Sequence, residues 1–189
     1  MVKVFLESGR MDKMKTCAVA GHQPKRFKFK YKENYTGCKR LKKRLKEQFI
    51  KVYKRGVHSF VIGSALGVDV WSGEILLRLR EEPEYSDIRL TIVVPFDGRD
   101  KDWDAHNKRS MEFLKRHSEV IYASNISDAA SFYKRDQYLV SQSDCLIAVF
   151  DGDFTVKSSV ERIVRGALKK DIPTVFIHPD TAEVFHKNR

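Results

Sequence analysis

Residues 59–82 read SFVIGSALGVDVWSGEILLRLREE. A short apolar run ends in a turn of small side chains flanked by Gly63 and Gly67, and a helical stretch follows with Asp69 in its first turn. This is the signature of a strand, a tight turn and a helix. The turn poses the functional question as well. Gly63 and Gly67 leave little bulk over the backbone N–H groups and Ser64 adds a hydroxyl, so the turn is a candidate phosphate cradle. It matches neither the dinucleotide-binding nor the Walker glycine pattern, and Asp69 is equally at home as a partner of the helix dipole.

Working outward, the same succession recurs. KTCAVAG (15–21) precedes CKRLKKRLKEQFIKVYKRG (38–56), whose Leu41, Leu45, Phe49 and Val52 repeat at helical spacing. IRLTIVVPF (88–96) precedes a helix near 104–117, EVIYA (119–123) precedes SFYKRDQYLVSQS (131–143), and DCLIAVFDG (144–152) precedes SSVERIVRGALKK (158–170). PTVFIHP (173–179) closes the series, and residues 83–87 read as a surface turn. Continuous apolar strands separated by amphipathic helices require a parallel sheet covered on both faces. The expected fold class is α/β, a Rossmann-like three-layer α/β/α sandwich with a mainly parallel sheet of about six strands. Residues 15–189 are expected to form one domain, with 1–14 as an N-terminal leader.

Composition narrows the classes. The chain has 189 residues, of which 42% are hydrophobic, enough for a core without staples. No apolar run approaches the roughly 18 residues of a membrane span, and no signal-peptide centre is present, which sets the expectation of a cytoplasmic protein. Cys17, Cys38 and Cys145 lie far apart in sequence without metal-ligand spacing and read as reduced, buried thiols, with no metal expected. The net charge of +11 is local. Residues 24–55 carry 14 Lys and Arg against Glu33 and Glu47, leaving 22 cationic against 23 acidic residues elsewhere. Lys28, Lys30, Lys39, Arg40, Lys42, Lys43 and Arg44, interleaved with Phe27, Phe29, Tyr31 and Tyr35, are therefore candidates for single-stranded nucleic acid.

In an open α/β sheet, ligands bind beyond the carboxyl ends of the strands. The residues gathered there are Gly21, His22 and Gln23 after the first strand, the turn from Gly63 to Asp69 after the second, and Asp151, Gly152 and Thr155 after the fifth. Trp103, in a polar loop after the third strand, is a candidate cover for the pocket, whereas Trp71 reads as core. His178, before a proline, reads as a turn residue.

Taken in order, AGHQP (20–24), FKYKENYTGCKRLK (29–42), IGSALGVDVWSGEILL (62–77), VPF (94–96), YKRDQYLVSQSDCLIAVFDG (133–152) and IHP (177–179) resemble the YpsA-like proteins of the SLOG superfamily. That superfamily also holds the LOG phosphoribohydrolases and DNA-processing protein A. The resemblance implies a Rossmann-like fold, often dimeric, with a pocket for a nucleotide-derived small molecule, an ADP-ribose-like or nucleoside phosphate compound, in a sensing or regulatory role. Arg135 matches the LOG arginine. The LOG glutamate has no counterpart, since Ser158 stands three residues after Thr155 and Glu161 lies farther on, so N-glycosidic hydrolysis is the lesser alternative and no catalytic residue is assigned.

This chain departs from the family pattern at the ligand-facing positions. Gln23 replaces an arginine, Asp136 an asparagine, Ile62-Gly63-Ser64-Ala65 a paired-glycine turn, and DGDFTVKSS (151–159) a Gly-Gly-Thr turn. Losing a guanidinium and gaining a carboxylate are both expected to weaken anion binding.

Overall fold

The computed structural model describes residues 16–186. The expected leader, 1–14, and Lys15 lie outside the described residues. Strands β1 (Thr16–Gly21), β2 (Ser59–Ile62), β3 (Arg89–Val94), β4 (Glu119–Tyr122), β5 (Cys145–Val149) and β6 (Thr174–Ile177) all run parallel. With a short seventh strand, β7 (Val184–Phe185), the order across the sheet is β4-β3-β2-β1-β5-β6-β7. The sheet therefore has seven strands rather than about six. β7 pairs antiparallel with β6 at the edge, and its two residues are too few to leave a periodic signal in the sequence.

Among the described residues five α-helices cover the sheet: α1 (Thr36–Tyr53), α2 (Val68–Arg80), α3 (Ala105–Arg116), α4 (Ala129–Ser141) and α5 (Ser159–Lys169). Side chains alternate along each strand, so Cys17 and Val19 of β1 join the core under α1, α2 and α3, while Ala18 and Ala20 join the core under α4 and α5. Helix α1 buries the stripe Leu41, Leu45, Phe49 and Val52, each such side chain contributing about 1.5–3 kcal/mol when fully removed from water. Asp104, Asp128 and Ser158 accept hydrogen bonds from N–H groups in the first turns of α3, α4 and α5, which fixes where those helices start.

The three cysteines are buried free thiols. Cys17 and Cys145, remote in sequence, stand opposite each other on β1 and β5.

The lysine- and aromatic-rich segment 25–35 is not a strand. It folds as a 3-10 turn at Pro24–Arg26 followed by further turns, with Lys30 in the left-handed region at φ 48°. Phe27 and Phe29 stack at 4.9 Å and pack against Trp71, which is fully buried, as read from the sequence, and donates its indole N–H to Glu33 at 2.8 Å. Two of the four rings considered for nucleobase stacking are thus core residues.

The chain leaves β1 on one side through β2, β3 and β4, then returns to place β5 on the other side of β1. The loops after β1 and β5 consequently diverge and leave a crevice between them.

Candidate functional site

That crevice is a cleft of about 480 Å³. The loop after β1 contributes Gly21, His22, Gln23, Lys25 and Arg26; the turn after β2 contributes Ser64, Ala65 and Asp69; and the loop after β5 contributes Asp151 and Asp153. The far wall is Phe132 and Arg135 of α4 with Ser158 and Ser159 at the start of α5, and Arg99 reaches in from the loop after β3. Of the residues singled out in the sequence, Gly21, His22, Gln23, Ser64, Asp69, Arg135 and Asp151 line this cleft together. Gly63, Gly67, Gly152 and Thr155 stand nearby but do not line the cleft. Trp103 does not line it either: its indole packs, partly buried, against the core under α1, α2 and α3, because burying a large ring there outweighs leaving it over a polar opening. His178 uses Nδ1 to accept from the N–H groups of Asp180 and Thr181, a turn role.

The glycine turn is filled by its own anion. Asp69 folds back and accepts the Ala65 N–H at 3.0 Å, and its carboxylate presses against Gly63, where a Cβ would overlap it. Gly67 takes φ +90°, and a Cβ there would lie 2.8 Å from the His22 carbonyl oxygen. Both glycines are explained by close approach, so the turn is a tight connection that locks the β1 and β2 loops together. Of this turn, Ser64, Ala65 and Asp69 line the cleft, and Ser64 Oγ is buried without a hydrogen-bond partner among the described residues. Burial raises the Asp69 carboxyl to about 6, against the opposing pull of Arg135 and the Ala65 N–H.

Arg135 is 5% exposed and anchored: Nε and Nη2 donate to Asp136 Oδ1 at 3.0 and 2.7 Å, and Nη2 donates to Ser159 Oγ at 2.7 Å. Arg162 Nε and Nη2 approach the other oxygen of Asp136 at 3.0 and 2.8 Å. The sequence led us to expect that Asp136 adds a repelling carboxylate beside the cleft; instead it is paired with two guanidiniums and does not line the cleft. Arg135 and Arg99 both lie over the Phe132 ring, with guanidinium carbons 5.7 and 5.5 Å from its centroid.

Arg26 bridges the mouth of the cleft by pairing with Asp151, with Asp180 3.7 Å away. Burial pushes the Asp151 carboxyl up, but Arg26 and the Asp153 N–H outweigh it and hold it below its ordinary range. Asp151 Oδ1 accepts the Asp153 N–H at 3.1 Å, and Asp153 Oδ1 accepts the Thr155 N–H and hydroxyl at 2.8 and 2.6 Å, so this loop is shaped by its own carboxylates. Burial lowers the His22 imidazole, keeping it neutral at physiological pH. Its Nε2, like Ser64 Oγ, is a buried polar atom without a hydrogen-bond partner among the described residues.

Lys25, Arg99, Phe132 and Ser159 were not singled out from the sequence. Arg99 carried a signal, since it too follows a strand; Phe132 and Ser159 lie on elements brought over the cleft only by the crossover.

The cationic candidates lie apart from the cleft lining, on α1 and the loop before it. Lys42 pairs with Glu33 at 2.6 Å, and Arg44 pairs with Glu47 and donates to the Ala182 carbonyl, so both have structural roles. Lys28, Lys30, Lys39, Arg40 and Lys43 are exposed and make no ion pair among the described residues.

A family model described as the YspA SLOG family (YpsA) matches residues 17–182. A UPF0398 protein of Bacillus cereus is 28% identical over 160 residues, covering 83% of this chain and 84% of its own length. A UPF0398 protein of Bacillus thuringiensis matches with the same identity and coverage.

Proposed function

Since this chain belongs to the YspA SLOG family, we propose that it binds a nucleotide-derived small molecule, an ADP-ribose-like or nucleoside phosphate compound, in the cleft beyond β1 and β5. One observation carries the reading: His22 Nε2 and Ser64 Oγ are buried and unpartnered at the switch point of the sheet. Buried polar groups are almost always satisfied, and a ligand hydroxyl or phosphate oxygen supplies what these two lack.

The remaining surfaces divide the labour. Lys25 and Arg99 line the cleft without an ion pair among the described residues and meet the anionic end. Phe132 offers apolar surface to a base, and Asp151 and Asp153 accept from ribose hydroxyls. Binding is preferred to N-glycosidic hydrolysis because Glu161, the glutamate nearest the position a LOG enzyme would use, is 1% exposed and gives its carboxylate to Arg165 at 2.6 Å. A sensing or regulatory role in the cytoplasm accords with a site built for recognition and with three buried thiols.

Thermal unfolding against AMP, ADP-ribose and NAD tests this. At least one compound raises Tm, the rise disappears in His22→Ala and Arg99→Ala, and it survives in Lys43→Ala. Absence of any shift, or a shift indifferent to the cleft variants, would refute it, and release of free base from AMP would restore hydrolysis.

A further inference from the structure

The cleft uses only Lys25 and Arg26 of the basic segment, leaving most of its charge unexplained. Lys39 and Lys43 lie one and two turns beyond Tyr35 on the same face of α1, with Arg40 beside them. Lys28 and Lys30 are exposed in the preceding loop. Two rings stand among these cations: Tyr31 is 55% exposed and Tyr35 51%, with Lys32 Nζ 5.2 Å from the Tyr35 ring centroid. Elsewhere the chain is close to neutral, so the field is one-sided.

From this placement we infer that the loop 28–35 and the exposed face of α1 form a second binding surface, for single-stranded nucleic acid. The cations at i and i+4 rise about 6 Å along the helix, of the order of the separation between successive phosphates of an extended strand. Tyr31 and Tyr35 supply stacking platforms that an unpaired base can reach and a paired one cannot. A membrane surface fits less well. An interfacial helix presents an apolar face to lipid, whereas Leu41, Leu45, Phe49 and Val52 of α1 are buried against the sheet. Recognition goes to phosphates and ring faces, with little sequence preference.

The test is fluorescence anisotropy of the full chain with labelled oligo(dT) of about 20 nucleotides, from about 50 to 200 mM salt, against a duplex of equal length and anionic phosphatidylserine vesicles. Oligo(dT) binds more tightly than duplex, with log affinity falling against log salt at a slope of about −3.5 for the five cations. Lys39→Ala/Arg40→Ala/Lys43→Ala flattens that slope by about 2. Tyr31→Ala/Tyr35→Ala weakens binding about tenfold or more at every salt concentration with the slope unchanged. All the substituted side chains are exposed, so unchanged melting temperatures certify the folds. Four outcomes each overturn the inference: no binding at the lowest salt, duplex binding equal to single strand, binding to vesicles alone, or binding lost in Arg99→Ala but kept in the α1 triple variant, which would place the strand in the cleft.

Discussion

Gly63 lies flat against the carboxylate of Asp69, and the Ala65 N–H closes the turn onto that same carboxylate. The pair is therefore one packing unit: the absent Cβ at 63 is the space that Asp69 fills. Gly63→Ala should cost about 2 kcal/mol or more in urea unfolding. Removing the obstacle should return part of that, so Gly63→Ala/Asp69→Ala is expected to be less destabilised than the two single variants summed, with a coupling of about 1 kcal/mol or more. Strict additivity would show that the turn is shaped elsewhere.

The same aspartate gives the protein a pH signature. Its carboxyl is raised by burial from 3.8 to about 6, so the native state holds the proton more tightly than the unfolded chain. The cost of ionising Asp69 is absent below about pH 4, grows through the window up to 6 and is complete above it, on the order of 2–3 kcal/mol. Asp69→Asn has no such proton to lose, and its stability curve should lack this descent. Parallel curves for the two proteins between pH 4 and 7 would count against the assignment.

Asp136 is the single anion between two guanidiniums, and the partners are unequal in burial. Asp136→Ala strands the buried Arg135 and should cost about 3–5 kcal/mol. Arg162→Ala, on the partly exposed side, leaves Arg135 and Asp136 paired and should cost distinctly less, about 1–2 kcal/mol. Denaturation midpoints decide the order; a larger loss in Arg162→Ala would reverse the roles assigned here.

The aromatic loop divides into core and surface at neighbouring positions. Phe27→Ala opens a cavity against Trp71 and Phe29 and should lose about 3–5 kcal/mol. Tyr31→Ala, four residues on, should stay within about 0.5 kcal/mol of the parent protein. Equal losses in urea titrations would mean that the loop is not divided this way.

The six parallel strands were legible to within three residues of their ends because strands buried on both faces, as β5 and β6 are, must be continuously apolar, and turns of small or polar residues break them. β7 was not, since two residues against β6 carry no period. In the site, His22, Ser64, Asp69 and Asp151 could be placed because the direction of parallel strands alone sends their following residues to one edge. Phe132 and Ser159 depend on where α4 and α5 cross, which local pattern does not encode. The same holds for charge: Asp136 reads as a repelling carboxylate until Arg162, 26 residues away, is seen to neutralise it. Phe27 and Phe29 alternate with lysines as a strand would, but tertiary burial against Trp71 took precedence over the period of two.

The loop from Asp151 to Thr155 owes its shape chiefly to aspartates within it, each carboxylate turning back on the backbone two residues ahead. Two of its residues are tied to the rest of the molecule, Asp151 to Arg26 and Phe154 to the core ring Phe150, so the positions between and beyond these anchors are the ones that can be exchanged while both cores keep their packing. At those positions, of which Asp153 lines the cleft, a substitution changes what the cleft presents to a ligand at little cost to the stability of the whole domain.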